Sequence, residues 1–230
     1  MLINREEHLA PIPWPIDFVM DVYQYLIEAK DNIQGDYTII DGTLHIATYA
    51  FDGCKSLASI TIPNSVTNIE FNAFSGCSYL SSIDIPAGVT LIDSNTFYGC
   101  SSLTSISIPA GITTINNYAF YACSSLKSVH IADLSEWCKI TFYGPTANPL
   151  CYKGKLYVNN QELTELAIPE EITEIKDYAF YNYYYLTSVT MGTSVTSIGD
   201  EVFSGCSSLA SITMGAGVTS IGNNAFYNLD

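Results

Sequence analysis

Phenylalanine returns at a fixed step of 23 residues: Phe51, Phe74, Phe97 and Phe120, then, after one interruption, Phe180, Phe203 and Phe226. A constant period between 20 and 50 residues marks a solenoid, in which each unit buries its apolar face only by stacking on the next. This one feature confines the chain to an elongated stack of coils. It biases function towards binding through a repeated surface and does not say what is bound.

One coil reads Phe51-Asp-Gly-Cys54-Lys-Ser-Leu57, Ala-Ser-Ile60-Thr-Ile62-Pro63, Val66-Thr-Asn-Ile69 and Ala73-Phe74. The alternation in Ser-Ile-Thr-Ile predicts a short strand with Ile60 and Ile62 inward and Ser59 and Thr61 outward. Pro63 ends it by removing a ladder donor. Val66 to Ile69 reads as a second short extended piece, and Ala-Phe-x-x-Cys as a tight or helical turn. The following coils repeat the inward set as Cys77, Leu80, Ile83, Ile85, Val89, Ile92 and Phe97, then Cys100, Leu103, Ile106, Ile108, Ile112, Ile115 and Phe120.

The pattern C-x-x-L-x-x-I-x-I-P-x-x-V-T-x-I-x-x-x-A-F, from about residue 43 to 227, resembles the bacterial leucine-rich repeats of the BspA type. That resemblance implies a leucine-rich-repeat solenoid, right-handed and β-rich, with short parallel strands along one face and short helical turns. It further implies a surface or secreted adhesion protein that binds a protein or a glycan. On this reading residues 1–35 are an N-terminal helical cap and 36–230 the solenoid, with an insertion at about 132–162.

Charge narrows the partners. With 8 basic and 23 acidic residues the net charge is -15, so no basic stripe can be assembled for nucleic acid or an anionic membrane surface. No secretory signal is expected, since Arg5 is followed at once by Glu6 and Glu7. No apolar run approaches the roughly 20 residues that cross a bilayer.

Five cysteines, Cys54, Cys77, Cys100, Cys123 and Cys206, share one repeat position, while Cys138 and Cys151 lie in the interruption. Stacked rungs sit about 4.8 Å apart, but successive side chains point the same way, which suits buried reduced thiols better than bridges. Tyr183 fills the same position in another coil, which a required disulfide would not permit. No cofactor is implied, and a metal site is not expected: there is no C-x-x-C and no paired His.

From Phe120 to Phe180 the interval is 60 residues, two coils plus 14. Asp133-Leu-Ser-Glu136 has capping-box spacing and predicts a short helix from Leu134 to Ile140. A loop with Gly144-Pro145 and Asn148-Pro149 follows. Lys155 to Val158 and Gln161 to Leu163 flank Asn159-Asn160, the signature of a tight hairpin. The insertion is expected to bulge from one edge without ending the stack. Ahead of the repeats, Pro15 to Lys30 has helical periodicity, with Asp17, Asp21, Gln24 and Glu28 on a polar stripe. Its broad apolar face would cap the first rung near Leu44 and Ile46, or serve docking or dimerisation. At the other end the last ladder is expected to be uncovered, which permits a homodimer through solenoid ends.

The candidate binding surface is the outward strand row Thr61, Asp84, Ser107 and His130, with the tyrosine run Tyr183, Tyr184 and Tyr185. Asp84, Ser107 and His130 bring together the residue types of a hydrolase triad. A parallel ladder, however, aims such side chains the same way instead of converging them, and no nucleophile elbow accompanies them. The expectation is a non-enzymatic module, with structural self-assembly as the alternative.

Overall fold

A computed structural model describes residues 18–20, 25–29 and 33–229. The chain is a β-solenoid whose coils each contribute a strand to one sheet, a two-residue strand to a second sheet, and a turn. The longer strands form a seven-stranded sheet in the order Gln161–Glu162, Lys155–Val158, Ser128–Ile131, Ser105–Ile108, Ser82–Asp84, Leu57–Thr61 and Gly35–Thr38. Apart from the hairpin at Gln161–Glu162, its strands run parallel. Register follows the repeat: Ile60 pairs Ile83, Ile83 pairs Ile106, and Ile106 pairs Val129.

Inside, equivalent side chains touch their own copies. The Phe51, Phe74, Phe97 and Phe120 rings stack with centroids 5.1, 5.8 and 5.5 Å apart, and Phe180, Phe203 and Phe226 continue at 5.6 Å each. All but Phe226 are buried. Burying one such side chain contributes about 1.5–3 kcal/mol, so the ring column is a principal source of cohesion. The turn after each short strand is a tight turn with N–H to C=O bonds three residues back, such as Cys77 to Phe74. Two backbone positions per coil are left-handed there, among them Asn72 and Gly76 at φ 57° and 70°; asparagine and glycine tolerate that region best.

Near the N-terminus the helix expected between Pro15 and Lys30 is corrected in its described part. Phe18–Met20 and Tyr25–Ala29 are strands, paired antiparallel. Tyr25–Ala29 then lies parallel on His45–Ile46, with Leu26 opposite Ile46. The open edge of the first rung presents backbone donors and acceptors; a helix covers such an edge but cannot bond to it, whereas a strand does both. The rest of that stretch lies outside the described residues.

The insertion contains the expected helix, Leu134–Lys139, capped by the Asp133 carboxylate, which accepts from Ser135 N–H at 2.7 Å. Glu136 turns instead to Lys139, 2.8 Å away. Thr141–Phe142 rejoins the short-strand sheet beside Thr114–Ile115. A 3-10 turn, Pro149–Tyr152, follows. The hairpin is present, with Asn159 and Asn160 at φ 49° and 65°, the left-handed pair that a two-residue loop favours.

The core runs through the insertion as one apolar cluster, but the long sheet stops at the hairpin and a new one begins with Glu165–Ala167, Ser188–Thr190 and Ser211–Thr213. Between the two blocks lies a seam, closed by buried Trp137, Asn148 and Tyr183. In the last described coil Met214 and Ile221 are 43% and 50% exposed.

Candidate functional site

Two rows of side chains stand on the outward face of the seven-stranded sheet. One runs Asp36, Ser59, Ser82, Ser105, Ser128 and Lys155; the other runs Thr38, Thr61, Asp84, Ser107, His130 and Tyr157. Thr61, Asp84 and Ser107 are exposed and His130 is half-buried. Ser59 Oγ donates to Asp36 Oδ1 at 2.6 Å, so neighbouring rungs bond laterally. Asp84, Ser107 and His130 sit side by side in register, and the imidazole stacks on the Tyr157 ring at 4.9 Å and 12°. That geometry builds a flat polar row ending in an aromatic pair.

The pair opens a charged aromatic cluster at the seam. Lys155 shares the outward face with Tyr157; its ammonium lies 2.8 Å from Glu162 Oε2 and 4.9 Å from the Tyr185 ring centre. Hydrogen bonding to Glu162 raises the Lys155 pKa. Lys153 Nζ lies 4.8 Å from the Tyr184 ring centre. Tyr184 and Tyr185 are half-buried under these cations. Such cation–ring contacts at the surface contribute about 0.5–1 kcal/mol each, which biases the rings towards this placement.

Tyr183, expected in this surface, is instead fully buried. Its hydroxyl donates to Leu163 O at 2.5 Å and accepts from Leu156 N–H at 3.2 Å, and burial pushes its pKa up. The reason lies in what cysteine does at this position. The Cys77, Cys100, Cys123 and Cys206 thiols donate at 3.1–3.2 Å to Phe51, Phe74, Phe97 and Phe180 carbonyls, each 26 residues earlier. The coil before Tyr183 has no such phenylalanine, so a longer side chain reaches the hairpin backbone instead. Burial holds these thiols protonated, with Cys123 and Cys206 pushed up to about 12.

Sequence reasoning did not place Lys153, Lys155 and Tyr157 in this surface. Ser128 pairs Lys155 and His130 pairs Tyr157, a step of 27 (155 − 128), and the 23-residue rule does not lead to it. A shallow hollow of about 210 Å³, open solvent included, lies between Ile108, Pro109, Ile112, Ile131 and Trp137 with Asp133 and Glu136 at its wall. Most of that space is open to solvent, so it does not enclose a drug-sized molecule. Among the described residues, no group of three or more His, Cys, Asp or Glu side chains is placed to hold a metal ion.

The profile of the BspA type leucine rich repeat region matches residues 30–147 and 153–230, in six copies. The chain belongs to the BspA-type leucine-rich-repeat family. The unmatched residues between those two stretches fall at the 3-10 turn, where the seam departs from the BspA-type period. No curated protein matches the chain. Among solved structures, a leucine-rich-repeat protein of T. pallidum is 24% identical, covering 93% of this chain and 87% of its own, with a TM-score of 0.43. A leucine rich cell surface protein of Faecalibacterium prausnitzii A2-165 is 28% identical over 78% of this chain and 59% of its own, at 0.40. A Bacteroides ovatus leucine-rich repeat protein is 21% identical over 95% and 80%, at 0.33. Among the described residues no helix of this BspA-type chain is long and apolar enough to cross a membrane.

Proposed function

We propose that this BspA-type chain is a non-enzymatic recognition module that binds a protein or a glycan at the cell surface through its seven-stranded sheet. The observation that carries the reading is the outward row Thr61, Asp84, Ser107 and His130 running without a break into Tyr157, Lys155, Tyr185 and Tyr184. A flat hydroxyl-rich row supplies adaptable hydrogen bonds, and an aromatic end supplies the anchors on which binding energy concentrates. The negative charge of the whole chain directs it away from nucleic acid and anionic lipid.

The test is a screen of glycan and extracellular-protein arrays with the full chain, repeated with Tyr184→Ala/Tyr185→Ala and with His130→Ala. Signal on a defined ligand should fall about tenfold or more for the tyrosine pair, with the oligomeric state unchanged. A signal that survives both variants rules out this surface.

A further inference from the structure

The turn edge of the coils carries a second concentration of tyrosine, separate from the sheet face. Tyr98 and Tyr121 follow the ladder phenylalanines and stack on each other at 5.5 Å and 20°. Tyr118 meets Tyr121 edge-on at 5.6 Å. These three are exposed, Tyr118 at 50%. Across the insertion Tyr181 and Tyr178 occupy the same two repeat positions, and their rings also meet edge-on, at 6.0 Å. Tyr152 lies between the two groups, its hydroxyl accepting from the N–H of Ala122, next to Tyr121, at 2.7 Å. Pre-stacked tyrosines lose little freedom on binding and present hydroxyls outward, the composition of interface anchors.

Charge decides what such an edge fits. Asp177 precedes Tyr178, whose N–H donates to Asp200 O at 3.0 Å, so Asp200 and Glu201 lie on the neighbouring rung beside it; these carboxylates raise the Tyr178 pKa beyond the effect of burial, and Glu201 does the same to Tyr181. The nearest base in sequence, Lys176, is held by Glu174 at 2.5 Å. Where this chain brings its own ammonium groups to tyrosine, they sit over the rings, as Lys153 and Lys155 do over Tyr184 and Tyr185. Tyr178 and Tyr181 have carboxylates beside them instead. A guanidinium group answers both features: it lies flat on a ring and pairs with a carboxylate through two parallel bonds, whereas an ammonium is a point charge. A neutral sugar makes no use of the acidic flank.

We propose that the turn edge docks an arginine-rich extended segment of a partner protein, its guanidinium groups lying on Tyr98, Tyr118, Tyr121, Tyr178 and Tyr181 and pairing with Glu201 and its neighbouring carboxylates. This surface stands apart from the sheet face and is tested apart from it. Fluorescein-labelled nona-arginine is titrated with the full chain at physiological salt, read by anisotropy, with nona-lysine as the equal-charge control. Nona-arginine should bind about tenfold more tightly than nona-lysine. The triple variant Tyr98→Ser/Tyr118→Ser/Tyr121→Ser keeps the net charge and should weaken nona-arginine about tenfold, while Tyr184→Ala/Tyr185→Ala changes nothing. Equal affinity for the two peptides, or undiminished binding by the triple variant, reduces the effect to bulk negative charge and overturns the proposal. Should the triple variant misfold by circular dichroism, Tyr118→Ser alone should still cost about threefold, and an unchanged affinity there also overturns it.

Discussion

The indole Nε1 of Trp137 donates to the carbonyl oxygen of Ala179 at 3.0 Å, deep in the seam. At regular junctions the carbonyl in this position accepts from the backbone N–H of the phenylalanine one coil earlier: Phe51 to Ala73, Phe74 to Thr96, Phe97 to Ala119, Phe180 to Val202 and Phe203 to Ala225. The coil ahead of Ala179 has no phenylalanine to offer. Trp137, with Asn148 Nδ2 at 3.1 Å, takes over that donor's place. On the opposite lip the Tyr152 hydroxyl accepts the Ala122 N–H, where Gly53, Gly76 and Gly99 donate to a carbonyl of the next coil. Buried backbone groups must be paired, and the insertion supplies side chains where a rung is missing.

Removing these donors should therefore be costly together. Trp137→Phe keeps most of the ring and should cost about 1 kcal/mol. Asn148→Leu also loses the bonds to Tyr178 O and from Leu150 N and should cost about 2–3 kcal/mol. The double variant, which strips Ala179 O of both donors, should lose about 1 kcal/mol more than the sum. Urea unfolding of the four proteins measures the cycle; strict additivity contradicts the shared-acceptor account.

Restoring the repeat consensus at the seam should harm the protein. Tyr183→Cys leaves a cavity and strips the Leu163 carbonyl and Leu156 N–H of their partner, a loss of about 3–5 kcal/mol. Tyr183→Phe, which deletes only the hydroxyl, should cost about 1–3 kcal/mol. Thermal unfolding ranks them, and a Cys variant as stable as the parent refutes the bridging role.

The buried thiols make the fold sensitive to alkali. Folded Cys123, Cys138 and Cys206 have pKa values pushed up to about 12 by burial, from an ordinary 9.0. Below pH 9 both states are protonated and the packing is fully effective. Above it the unfolded thiols ionise while the folded ones do not, so stability falls with rising pH, by about 1.4 kcal/mol per unit per thiol, until about pH 12. Urea midpoints measured from pH 8 upward should drop, and Cys123→Ala should flatten the slope by one thiol's share. A midpoint flat to pH 11 contradicts this.

Two substitutions in the turns should move stability in opposite directions. Ala122 sits at φ 61° where four other coils have glycine, at Gly53, Gly76, Gly99 and Gly205, so Ala122→Gly relieves a left-handed alanine and should gain about 0.5–1 kcal/mol. A Cβ on Gly215 would lie 2.0 Å from the Gly192 carbonyl oxygen; Gly215→Ala should lose about 1–3 kcal/mol as the rungs part. Calorimetry on both variants checks the signs.

Much of this was legible in the residue order. Ile60, Ile83 and Ile106 announce the inward row by alternation, and Asn159-Asn160 announces the hairpin by its turn chemistry. The helix after Asp133 follows from its cap. Periodicity failed at Phe18–Met20 and Tyr25–Ala29, where a helical spacing of apolar residues was overruled by the bonding needs of the first rung's edge. It failed again at Tyr183, whose neighbours suggested a surface cluster although its repeat position is an inward one. The aromatic end of the sheet escaped notice because Tyr157 enters the row 27 residues after His130 rather than 23.

Read alone, the order of residues settles the ladders: which side chains face in, where each coil turns, and that like stacks on like. Those are consequences of local alternation repeated at one interval. Packing in three dimensions settles the seam, because Trp137, Asn148, Tyr152 and Tyr183 find their partners 20 to 42 residues away, at intervals no repeat encodes. Which of them is needed depends on the backbone groups that the lost rung left without a bond.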